Sequence, residues 1–279
     1  MWSVEKPTFE AGETFKLCVS RIRDGALRKR LLNVQANIAA AAVDYAKKAR
    51  ARQLNLIGTS DTIAGVVTKQ EMVSVYDQRM AGKQGPGRLI YDQLKLLPKA
   101  DRCPFCDQRN ISTLDHILPK ALYPILAVTP LNLVAACMEC NKAKLSKSPK
   151  TAAEVVLHPY FDDIATVQWL TARVVETSPC AVIFDVTRPE SWDDLTEARA
   201  RGQFSLLGLG DLYSGEASRE LANIRHNLQS HFAADGADAV RAELLRQWRS
   251  RRAHRINAWQ TAMYQAMANS DWFCGGGFV

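Results

Sequence analysis

No run of the 279-residue sequence approaches 18 consecutive apolar residues, so a membrane-spanning helix is not expected. The opening MWSVEKPTFEAGETF lacks a basic n-region followed by an apolar h-region, so no secretory signal is expected and the reading is cytoplasmic. Cysteine is scarce outside one stretch: of seven, only Cys18, Cys180 and Cys274 lie elsewhere. An odd remainder without a spacing pattern excludes a disulfide framework and reads as free thiols in a reducing compartment. Internal repeats and low-complexity tracts are absent, and no strong linker interrupts the first half.

What is present fits a globular chain. Apolar residues make up 47%, enough for an ordinary core, and the length allows one large domain or two small ones. Net charge is +7 and the isoelectric point about 9.1, a balance suited to a polyanionic partner. The charge is uneven, with 11 Lys/Arg against 5 Asp/Glu in residues 1–52. Nucleic acid is the partner this favours.

Residues 103–144 organise the chain. Cys103, Cys106, Cys137 and Cys140 form two C-x2-C pairs with 30 residues between them. That is the spacing of a tetrahedral four-cysteine zinc site, each turn supplying two thiolates. A redox C-x2-C is the alternative, although no βαβ pattern surrounds either pair. Between the pairs lies Asp115-His116, at the end of a strand expected over Asn110–Leu114 and just before Leu118-Pro119. With the zinc shell filled by sulfur, Asp115 is left as an oxygen ligand suited to a hard cation such as Mg²⁺. His116 has the pKa range of a general base. Strand neighbours point to opposite faces, so both residues serve one site only where the strand ends or bulges. Alone, the pair reads as a surface hydrogen bond; its surroundings change the reading.

The stretch resembles the HNH (ββα-metal) endonuclease family, in the variant where a zinc knuckle of two C-x2-C pairs supports the active site. The likeness rests on Asp115-His116-Ile117-x-Pro119-Lys120, on Asn132-Leu133-Val134, and on Cys140-Asn141-x-x-Lys144. It implies a treble-clef-like ββα-metal module carrying structural Zn²⁺. It further implies His116 as general base, Asp115 and Asn141 as ligands of a catalytic Mg²⁺ or Mn²⁺, and Asn132 pinning the loop that orients the histidine. The third position is Asn141 rather than His. The implied activity is hydrolysis of phosphodiester bonds in DNA, with RNA left open, and with Lys142, Lys144 and Lys120 as phosphate contacts. The plainer readings are a turn residue for Asn132 and a solvated lysine for Lys120. The flanks look like those of bacterial HNH proteins, including some in anti-phage defence modules, which implies an ATPase partner protein. A second reading is a zinc module that binds nucleic acid or a protein partner without cutting. A third is a helical interaction protein with a zinc staple. Only the nuclease needs Asp115, His116 and Asn141 together.

The expected fold is α+β and mostly helical, in three regions: helical 1–98, the HNH module at 99–150, and 151–279 with a β-hairpin followed by helices. Residues 1–18 read as irregular. One helix is expected over Ser20–Gln53, with Leu27, Leu31, Val34, Ile38 and Tyr45 on one stripe. Its arginines and lysines read as a solvated face or, as a set, as a DNA contact. Helices Lys69–Met80 and Arg88–Leu97 flank the GKQGPG turn at 82–87. Val167–Val175 and Ala181–Val186 form a hairpin. Helices over Asp211–Phe232 and Ala237–Asn269 follow, with Trp248 and Trp259 read as core. His158 is a packed turn residue or an extra phosphate or metal contact. The tail DWFCGGGFV either tucks back or meets a partner.

Overall fold

Asp24 and Thr68 each start a helix by accepting a hydrogen bond from the backbone N–H three residues on, at Leu27 and Glu71. In return the Thr68 N–H donates to the Glu71 carboxylate, a complete capping box. The computed structural model describes residues 2–144 and 147–278. It divides into two compact units, Trp2–Asp163 and Ile164–Val279. The fold is α+β and mostly helical, and among the described residues the strands form three two-stranded antiparallel sheets.

In the first unit, helices α1 (Ala11–Val19), α2 (Gly25–Asn33) and α3 (Gln35–Arg50) replace the single helix expected over Ser20–Gln53. Residues 11–18, expected to be irregular, are helical because Ala11, Phe15, Cys18 and Val19 share a buried face. The cap at Asp24 ends the approach to α2, and Val34, with ψ 6°, breaks the run into α3. Leu31, Val34, Ile38 and Tyr45 of the expected stripe are all buried. A small hairpin, β1 (Thr62–Ile63) and β2 (Val67–Thr68), leads into α4 (Lys69–Ser74), which continues as a π-helical turn, Val75–Met80. The glycine-rich link to α5 (Arg88–Lys95) wraps that turn closely: a Cβ on Gly85 would lie 2.3 Å from the Arg79 carbonyl oxygen. Phe15, Leu31, Ile38, Met72, Met80 and Leu94 share one core with Leu114 and Leu133.

Those last two belong to β3 (Thr113–His116) and β4 (Leu133–Ala136), paired so that Asp115 faces Val134 and His116 faces Leu133. The strand therefore lies later than expected over Asn110–Leu114; Asn110 instead makes an isolated bridge to Arg102. Asp115 and His116 are its last two residues. Helix α6 (Met138–Lys144) follows β4. Of the expected NKAKLSK run, residues 145 and 146 lie outside the described residues.

The second unit contains the hairpin β5 (Leu170–Val175) and β6 (Ala181–Val186), then α7 (Asp194–Leu206), α8 (Leu209–His254) and α9 (Trp259–Ala268). Helix α8 bends at Asp235-Gly236, where Gly236 takes φ 63°. The helix expected over Ala237–Asn269 is broken between His254 and Trp259. Buried Asn257 causes the break: it accepts from the Trp169 and Leu170 N–H groups and donates to the Ile164 and Val167 carbonyls. The tail folds back within its own unit, with Phe273, Cys274 and Phe278 buried. No described helix is long and apolar enough to cross a membrane.

Candidate functional site

The C-x2-C turns stand before β3 and after β4, so pairing of the two strands brings their four sulfurs together. All four lie within 4.8 Å of one another and are buried, and Cys106 Sγ is 3.9 Å from Cys137 Sγ. A tetrahedral shell with Zn–S contacts of about 2.3 Å has edges of about 3.8 Å, so the cluster fits a four-coordinate ion. Backbone N–H groups of Arg109 and Cys140 point at Cys106 Sγ and Cys137 Sγ, at 3.5 and 3.4 Å. Hydrogen bonds from neighbouring thiols pull Cys106 and Cys137 below the ordinary thiol range. The cluster could hold a metal such as zinc, with the cation replacing the shared protons. All seven cysteines are free of disulfides.

Beside the cluster opens a cleft of about 510 Å³. Its wall includes Asp115, His116, Lys120, Asn141 and Lys142, together with Tyr76 and Asp77 from the π-helical turn. The end of β3 and the first turn of α6 thus bring the expected carboxylate, imidazole and amide to one concavity.

Asp115 is 4% exposed, and Lys144 Nζ donates to its Oδ2 at 2.7 Å and to the His116 carbonyl at 3.1 Å. Burial pushes the Asp115 carboxyl above its usual value, and the Lys144 charge opposes that. The same ammonium lies 5.4 Å from the centre of the Phe105 ring, inside the first cysteine turn. Lys144, expected at a phosphate, is instead buried, because a charge as enclosed as that of Asp115 requires a partner. The lysines facing the cleft are Lys120 and Lys142.

His116 Nε2 lies 2.8 Å from the Ala127 carbonyl. A carbonyl only accepts, so Nε2 carries the proton and Nδ1 keeps a bare lone pair. Burial, the largest influence, pushes the imidazole down to about 3, and the ring is neutral near neutral pH. Tyr76 meets it edge-on at 4.4 Å. Asn132 is fully buried and grips the loop after the histidine: its Oδ1 accepts from Leu118 N–H, and its Nδ2 donates to the Leu118 and Leu126 carbonyls.

Tyr76 and Asp77 escape the sequence reading, which places them in an ordinary helix over Lys69–Met80. Asp77 pairs with Lys120, whose ammonium also sits 4.4 Å above the Tyr76 ring. No residue pattern announces a π-helical turn, although such turns recur at functional sites. His158 lies away from this cleft's wall and is 1% exposed. Its Nδ1 accepts from Tyr160 N–H, and its Nε2 contacts the Tyr45 hydroxyl and the Leu131 carbonyl.

Comparison with known proteins gives one strong likeness. The chain is 31% identical over 230 residues to protein ea31 of Escherichia phage lambda, spanning 77% of this chain and 77% of that protein. No protein-family model and no solved structure matches it.

Proposed function

The chain belongs to the family of protein ea31 of Escherichia phage lambda, and for this member we propose metal-dependent endonuclease activity of the HNH (ββα-metal) type on DNA. One observation carries the reading: Asp115, His116, Asn141 and Lys142 wall a single cleft beside a cluster of four cysteines.

His116 is the general base. Its Nδ1 takes a proton from water as the water oxygen attacks phosphorus in line and the 3′-oxygen departs. The Ala127 carbonyl holds the ring in the tautomer this requires, and Asn132 fixes the loop that carries Ala127. Lys142, exposed on the cleft wall, meets a non-bridging phosphate oxygen. The Asp115 carboxylate and the Asn141 amide form an oxygen donor set of the kind Mg²⁺ or Mn²⁺ takes, and the cleft has room for a hydrated ion and a phosphate. A cation held there would neutralise charge developing on the phosphate and the leaving oxygen.

One observation favours a second reading, a zinc module that binds nucleic acid or protein without cutting: the Asp115 carboxylate already has a counter-cation in Lys144. Incubating supercoiled plasmid with the purified protein in Mg²⁺, Mn²⁺ or EDTA separates the two. Metal-dependent nicking is expected, and His116→Ala should lower its rate by about 10²–10⁴-fold, the usual worth of a base. Equal nicking by wild type and variant removes His116 from the mechanism. The flanking sequence extends the proposal to anti-phage defence beside an ATPase partner. Because the relative belongs to a phage, a gene neighbourhood without defence genes would turn the role towards the phage itself.

A further inference from the structure

The π-helical turn Val75–Met80 contributes to more than one hollow. Tyr76 and Asp77 wall the cleft described above, whereas Arg79 walls another, of about 540 Å³, with Arg21, Ile22, Arg23, Asp24 and Leu27. This second hollow is built rather than incidental. Ile22, 6% exposed, anchors the link between α1 and α2 in the core, and the arginines on either side of it are exposed. The Arg79 backbone is gripped by the glycine-rich link: its carbonyl accepts from Gly87 N–H at 2.9 Å, and Gly85 packs directly on it.

The charges in the hollow do not balance. Asp24 is its acid, and that carboxylate caps α2 through Leu27 N–H at 3.0 Å. Among the described residues the three guanidiniums make no hydrogen bond or ion pair. Arg30 and Arg88, by contrast, are paired, with Glu71 at 2.7 Å and Asp92 at 2.8 Å. Three unpaired guanidiniums around one concavity repel one another, and an anion there removes the repulsion. Planar forks of donors match phosphate oxygens in pairs.

We infer that Arg21, Arg23 and Arg79 form a second phosphate-binding site, which takes the backbone of a nucleic-acid duplex. The inference takes only its choice of polyanion from the nuclease reading. Phosphate contacts carry no sequence information, so the binding they add is insensitive to sequence and sensitive to salt.

The test is fluorescence anisotropy of the full chain with a short labelled DNA duplex in EDTA, where no cleavage occurs, across a salt series. Each phosphate contact contributes about 0.9 to the slope of log affinity against log salt. The triple variant Arg21→Ala/Arg23→Ala/Arg79→Ala should therefore lose about 2–3 from that slope, with its thermal midpoint not lowered, because the three side chains make no internal bonds and repel one another. The triple Lys variant should keep most of the slope. An unchanged slope in the Ala variant would overturn the inference, as would complete displacement of the duplex by inorganic phosphate at constant ionic strength. A matched RNA duplex that alone gives the slope loss would move the site to RNA. Failure of the nuclease reading looks different: arginine-dependent binding would persist while no metal supports nicking.

Discussion

In the unit Trp2–Asp163 the longest helix has 16 residues, whereas the unit Ile164–Val279 contains α8, whose 46 residues are two helical segments meeting at Asp235-Gly236. Both bury polar side chains, but to different ends. In the second unit these groups are ties: Asn257 joins the start of the hairpin to the segment before α9, Glu243 receives Arg246 and Gln247, and Thr261 reaches back to the Arg255 carbonyl. Asn132 and His158 do the same in the first unit. The Asp115–Lys144 pair differs, because it ends at the wall of an open cleft beside a neutral imidazole. Full hydrogen bonding of a buried group is ordinary, and it is the open space next to one that marks a place for chemistry. Short elements also need staples that long ones do not, and a metal held by the cysteine cluster would supply one.

The largest test of that contrast removes the staple. Structural zinc in small domains is worth about 10–16 kcal/mol of apparent binding energy. Cys137→Ser, or stripping the metal with a strong chelator, should abolish protection of β3, β4 and α6 in hydrogen exchange while α8 and α9 keep theirs. Retained protection at zero metal content would break the comparison.

Next comes the buried pair. Lys144→Met leaves the Asp115 charge without a partner and should cost about 3–5 kcal/mol in chemical denaturation. Arg246→Met, at a pair whose arginine is 70% exposed, should cost much less. Similar losses at the two sites would erase the distinction between them. In the second unit, Asn257→Ala orphans the Trp169 and Leu170 N–H groups, at about 1–3 kcal/mol for each donor left unsatisfied. That loss should appear in the unfolding of the second unit only.

The smallest effect is a pH dependence. The hydrogen bond from Arg30, with burial opposing it, holds Glu71 below its ordinary 4.5. A depressed carboxyl adds stability that is present above its unfolded pKa and fades as pH falls through the folded one. Denaturation midpoints of wild type and Glu71→Gln should therefore differ at neutral pH by less than about 1 kcal/mol and converge in acid. A gap that widens below pH 4.5 would reverse the assignment.

How much of this was legible beforehand follows from range. Cysteine spacing needs only two local turns, and it announced the cluster. The buried stripe Leu31–Tyr45 and the strand Ala181–Val186 follow from local periodicity, although the stripe's helix breaks at Val34 and the other hairpin strand begins at Leu170 rather than Val167. What escaped depends on partners distant in sequence. Ala11–Val19 looked irregular beside Pro7 and Gly12, and only packing against α3 explains its helix. Asn257 breaks a helical pattern because it is needed some 90 residues upstream, at Trp169 and Leu170. Lys144 reads as a phosphate contact from sequence because its buried partner lies 29 positions earlier. Tyr76 sits in a turn whose pitch differs from that of the α-helix expected over Lys69–Met80.

That turn has a consequence for which mutations this stretch tolerates. A π-helical turn contains one residue more than the α-helical turn it replaces, and successive α-helical residues are about 100° apart around the axis. The surplus residue therefore sets the phase of everything after it. Losing a single codon at Gln78 would let the helix relax to an ordinary pitch and swing Arg79 and Met80 by about 100° relative to Tyr76. Met80, now fully enclosed, would leave the core. A one-residue deletion there should do more damage than most substitutions in the same helix.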